Sequence, residues 1–100
     1  MGERRMKIEH TSTGEIELRL SEDPDRFKHL AEVVRKKLGG RWLDQIDDLD
    51  QSYWDLDVQG KKITVHREHY LGVSVFCDDD AGLRSLLEQL QHDFDAVPRE

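Results

Sequence analysis

Residues 53–66 read Tyr53-Trp54-Asp55-Leu56-Asp57-Val58, then Gln59-Gly60, then Lys61-Lys62-Ile63-Thr64-Val65-His66. The alternation has the period of a β-strand on both sides of a pair suited to a tight turn. A two-residue turn at Gln59-Gly60 sets the register of the hairpin. It pairs Leu56 with Ile63 and Trp54 with Val65 on one face. On the other face Asp57 lies opposite Lys62, Asp55 opposite Thr64 and Tyr53 opposite His66.

The register can be carried into the next strand. Keeping Val65 beside Leu71 and Ile63 beside Val73 requires an odd loop of three or five residues at Arg67-Glu68-His69, because a two-residue turn would set the apolar residues against Gly72 and Ser74. This predicts His66 beside Tyr70, with Gly72 opposite Thr64 leaving a shallow place on the same face.

Elsewhere the pattern is equally local. Met6, Ile8 and then Ile16, Leu18, Leu20 alternate around Thr11-Ser12-Thr13-Gly14, a second hairpin. Asp23-Pro24 offers a helix start, Phe27, Leu30, Ala31, Val34 and Leu38 make one apolar stripe, and Gly39-Gly40 stops it. A strand is expected at about 41–46. After Val73–Cys77, Leu83, Leu86, Leu87, Leu90 and Phe94 repeat the helical spacing. A shift of 56 residues overlays the two stripes and places His10 on His66, Asp23 on Asp79 and Glu32 on Glu88. That suggests two strand, strand, helix units with the strands at about 41–58 inserted between them.

These elements predict a two-layer α+β sandwich: an antiparallel sheet of five or six strands with both helices on one face, in the order ββα-βββ(β)-α. Residues 1–5 are expected to be a disordered leader, 6–96 a single domain and 97–100 a frayed tail.

Charge narrows the partners. The net charge is -7, with 22 acidic against 15 basic residues, which opposes phosphate backbones and anionic lipid. The densest basic run, Arg35-Lys36-Lys37, lies in the last turn of the first helix, where cations complement the dipole. No segment approaches the roughly 18 apolar residues of a membrane span. The lone Cys77 excludes an internal disulfide and a cysteine metal cluster, and suits a reducing cytoplasm. Neither nucleic acid nor membrane is therefore expected as a partner.

Chemistry-bearing patterns are sparse. The row Tyr53, His66, Tyr70 would align two phenols and an imidazole beside Gly72, fit for acid-base work or a polar ligand. Aromatic cross-strand pairs also arise from packing alone. With Phe76 and Asp55 on the same face, the row reads equally as a protein contact surface. His66, Glu68 and His69 lack the helical spacing of a zinc site, and Asp78-Asp79-Asp80 sits where an N-cap is expected. Asp44, Asp47, Asp48, Asp50, Asp55 and Asp57 fail the calcium-loop spacing, because Tyr53 and Gln59 stand where glycine and glutamate are needed. They read as a solvated acidic rim. Cys77, followed by three aspartates, is a poor nucleophile. No catalytic residue, metal site or cofactor is assigned, and the pattern points away from an enzyme.

The segment Tyr53-Trp54-Asp55-Leu56 through His66-Arg67-Glu68-His69-Tyr70-Leu71-Gly72-Val73-Ser74-Val75-Phe76 resembles a pattern in small bacterial domains of unknown function. The resemblance implies a compact α+β domain and carries over no activity. The expected role is a non-enzymatic cytoplasmic binding, regulatory or accessory protein that holds a protein partner, or a second copy of itself, on the open sheet face or acidic rim. The rival is a small-ligand or hydrolytic site around His66, Tyr53 and Tyr70.

Overall fold

The computed structural model describes residues 7–95. The leader expected at 1–5 and the tail at 97–100 lie outside the described residues. Among the described residues six strands and two helices follow one another as β1 (Ile8–His10), β2 (Glu15–Ser21), α1 (Phe27–Leu38), β3 (Arg41–Asp47), β4 (Gln51–Val58), β5 (Lys61–Glu68), β6 (Gly72–Asp78) and α2 (Ala81–Asp95). The strands form one antiparallel sheet in the order β1-β2-β6-β5-β4-β3. This is the α+β sandwich that the periodicities imply.

The central hairpin has the register of its turn. Gln59 and Gly60 both adopt positive φ, 55° and 85°, the geometry whose twist matches that of the flanking strands. Leu56 then pairs with Ile63, Trp54 with Val65 and Tyr53 with His66. Leu56, Ile63, Val65, Val73 and Val75 point to the helical layer and join Ile16, Leu18, Val34, Leu87 and Leu90 in a single core. Burial of apolar side chains supplies the main stabilisation, roughly 1.5–3 kcal/mol for each fully buried one.

Helix α1 lies across β4, β5 and β6, and α2 across β1, β2 and β6. Asp23 does not cap α1 directly. It accepts a hydrogen bond from the Asp25 amide (2.9 Å) and caps a single 3-10 turn, Pro24–Arg26, that leads into the helix. Gly39, at φ 68°, ends α1 in the left-handed conformation. The Asp80 carboxylate accepts from the Leu83 amide at the start of α2 (3.0 Å), the capping role expected of the aspartate run.

Two departures from the sequence-based register matter. The loop between β5 and β6 is odd, as parity requires, but it consists of His69, Tyr70 and Leu71, with Glu68 opposite Gly72. Val65 therefore pairs with Val75 and His66 with Ser74, not with Leu71 and Tyr70. The reason is physical: all of β5 is kept in the ladder, Val73 and Val75 both become buried, and Glu68 closes the loop by accepting the Tyr70 and Leu71 amides (3.1 Å each).

The second departure concerns the 56-residue shift. Two strand, strand, helix units do lie side by side through β2 and β6, with β3 and β4 added beyond β5. The strands, however, are out of phase. Leu18 faces the core whereas Ser74 lies on the opposite face, paired with Arg19. His10 and His66 likewise lie on opposite faces, since His10 pairs with core residue Ile16 and His66 with Ser74. A bulge between Arg19 and Ser21 and the 3-10 turn absorb the difference before α1 begins.

Candidate functional site

Both helices cover the same side of the sheet, and among the described residues no element covers the other. That open face carries the polar partners of each alternating strand: Tyr53, Asp55 and Asp57 from β4, Lys62, Thr64, His66 and Glu68 from β5, Ser74 and Phe76 from β6, and Glu17 and Arg19 from β2. Adjacent strands bring them into rows. One row runs Ile46, Tyr53, His66, Ser74, Arg19, and the next runs Asp55, Thr64, Phe76, Glu17.

Tyr53 and His66 stack with ring centroids 4.5 Å apart and planes 14° from parallel, and Phe76 meets His66 edge-on at 5.8 Å. Gln51 joins the first pair from above. Its Oε1 accepts from the Tyr53 hydroxyl (2.5 Å) and lies 3.1 Å from His66 Nε2. With a carbonyl oxygen as its partner, Nε2 carries the proton and Nδ1 is left as an acceptor. Burial pushes the His66 pKa below its ordinary value, against the opposing fields of Glu17 and Glu68. Desolvation disfavours the charged ring, so the imidazole is kept neutral.

Asp55 accepts from the buried Thr64 hydroxyl (2.7 Å), which occupies one of its oxygens. Tyr70 does not join the row. It sits at the apex of the β5–β6 loop, 82% exposed, against His69. The expected trio of two phenols and an imidazole is thus a Tyr53, His66, Phe76 cluster, and the hydrolytic arrangement loses one of its three groups.

Gly72 is also placed differently. It lies opposite Glu68, not Thr64, and has φ 105°. A Cβ there would come within 2.0 Å of the Ser21 carbonyl oxygen, so the glycine serves close approach of β2 to β6. A shallow place does lie beside it. Glu17, Arg19, His66, Glu68, Leu71, Gly72, Val73 and Ser74 line a depression of about 30 Å³. Small residues form its floor because Gly72 and Ser74 stand between larger neighbours on β5 and β2. Sequence reasoning missed Glu17, Gln51 and Ser74. Alternation alone puts each on the polar face of its strand, but nothing local says that β2 lies beside β6.

Among the described residues no group of three or more His, Cys, Asp or Glu side chains could hold a metal ion. The aspartates of the acidic rim are engaged locally: Asp47 accepts from the Trp54 indole (2.9 Å), Asp48 from the Leu49 amide (2.7 Å) and Asp57 from the Gly60 amide (3.0 Å). Burial, then the fields of Asp78 and Glu15, pushes the Cys77 thiol up to about 12, so thiolate is scarce near neutral pH. Among the described residues no helix is long and apolar enough to cross a membrane. Comparison with known protein families, with curated proteins and with solved structures finds no match to this chain.

Proposed function

We propose that this chain is a non-enzymatic binding domain, regulatory or accessory in role, that holds a protein partner on the open face of its sheet. The observation that carries this reading is the Tyr53, His66, Phe76 cluster in the middle of a predominantly acidic face that no described element covers. Tyr53 is 37% exposed and its neighbour Ile46 is 60% exposed. Aromatic side chains presented on a rigid sheet give large contact area at small entropic cost, and a surrounding rim of charge selects the partner and speeds its approach. The single cysteine, buried and reduced, suits work in the cytoplasm.

The test is a double substitution, Tyr53→Ala with Phe76→Ala, which leaves the helical face untouched. Partners cross-linked to the wild-type chain in its native cells should be lost from the double variant at unchanged melting temperature. Retention of the same partners and the same oligomeric state would remove the sheet face from consideration.

A further inference from the structure

The depression beside His66 contains two acceptors that make no hydrogen bond with a described residue. Ser74 is only 5% exposed, yet its hydroxyl makes no side-chain hydrogen bond to any described residue, while the other two buried polar side chains do: Thr64 donates to Asp55 and Ser52 accepts from Arg67. Glu17, half-buried on the opposite wall, forms neither a hydrogen bond nor an ion pair with a described residue. Glu68 closes the third side, with Oε1 taken by the Tyr70 and Leu71 amides. The cation already present, Arg19, is turned to the Leu71 carbonyl (Nη1 to O, 3.1 Å) and is within ion-pair distance of neither carboxylate. Two carboxylates therefore face one guanidinium, and the lining is net acidic.

We propose that this depression seats the ε-ammonium of a lysine presented by an extended segment of a basic partner protein, with Glu17, Glu68 and the Ser74 hydroxyl as acceptors. The inference rests on the reading of the open face as a partner surface and names the chemistry of what it takes. Lysine fits better than arginine. About 30 Å³ accommodates a compact ammonium with three divergent donors, whereas a planar guanidinium needs acceptors lying in one plane. The neutral His66 ring forms one wall without repelling the cation, and its stack with Tyr53 gives the lysine stem an apolar surface to lie along. An acidic chain of this net charge opposes a second copy of itself and attracts a basic one.

The probe is a blocked pentapeptide alternating threonine and lysine, titrated into the full ¹⁵N-labelled chain and followed by amide chemical shifts at low salt. Shifts centred on Gly72, Ser74 and His66 are expected. Glu17→Gln should weaken binding about tenfold, the scale of one hydrogen bond to a charged group, and Ser74→Val should abolish it by filling the floor, both at wild-type melting temperature. The analogue with glutamine in place of lysine should not bind, and the arginine analogue should bind more weakly. Shifts spread evenly over Asp44, Asp50 and the rest of the acidic surface, an unchanged affinity in Glu17→Gln, or tighter binding of the arginine analogue would overturn the assignment. If the peptide fails while the Tyr53→Ala, Phe76→Ala pair still loses its cellular partner, the lysine seat is wrong and the partner face survives.

Discussion

Tyr53 and His66, directly opposite each other in β4 and β5, lie ring on ring at 4.5 Å with Gln51 bridging their polar ends. The pairing has a consequence for acid stability. Because the folded pKa of His66 lies below the ordinary 6.5, the unfolded chain takes up the proton more readily. The contribution of His66 to stability is therefore full above about pH 6.5 and is lost as the pH drops from there toward the folded pKa. His66→Phe, which keeps a ring in the stack and removes the titration, should show a smaller loss of melting temperature over that range. An NMR titration in which the His66 ring takes up its proton at or above pH 6.5 would contradict the assignment.

Gly60 and Gly72 separate two kinds of glycine requirement. Both have positive φ, 85° and 105°, but a Cβ on Gly60 meets open space whereas one on Gly72 meets the backbone of Ser21 and Glu22. Urea denaturation should find Gly60→Ala destabilised by about 1 kcal/mol. Gly72→Ala should lose about 3 kcal/mol or more, since no flexible side chain can move aside.

Val65 is fully buried between Trp54 and Val75. Val65→Asp places an unpaired charge in the core and should cost on the order of 4 kcal/mol or more, most of the stability of a domain at the low end of the ordinary range. A variant as soluble as the wild type that melts cooperatively at the wild-type temperature would refute the register.

Trp54 holds Asp47 in its charged form. The indole hydrogen bond, followed by one from Ser52, lowers the Asp47 pKa, while the ring itself packs edge-on against Phe27 and Trp42 at 4.8 and 5.3 Å. Trp54→Phe retains an aromatic ring and removes the donor. Carboxyl NMR titration should then show the Asp47 pKa rising toward its ordinary value of 3.8.

Strand β3 is an open edge with a bulge between Trp42 and Gln45 and with Leu43 and Ile46 exposed. Bulges and charges are the usual protection of such edges against pairing with other chains. Asp44→Val should therefore promote self-association, read by sedimentation velocity as a concentration-dependent increase in sedimentation coefficient. An unchanged monomer-to-dimer distribution would show that Asp44 has no protective role.

Much of the architecture was legible because its signals are local. The positive-φ turn at Gln59-Gly60 and the period-two pattern around it define the hairpin pairs from Val58 with Lys61 to Gln51 with Glu68. The stripes of α1 and α2 need only helical spacing, and Gly39 needs only its left-handed conformation. The candidate site was legible in part. Tyr53, His66, Phe76 and Asp55 share the open face as parity demands. Tyr70 does not, because parity specifies a face and leaves the loop free to move by two residues along each strand.

The sequence by itself thus determined which residues form strands and helices, which side of each strand is apolar and how β4 meets β5, since neighbouring residues and one tight turn suffice for those. Tertiary structure decided the rest. The adjacency of β2 and β6, the approach of the Ser21 backbone to Gly72, and the meeting of Glu17 with Ser74 and His66 around one depression join residues of β2 to residues 49 or more positions later in the chain. Their register follows from how many buried pairs the whole sheet can close, a quantity no local pattern contains.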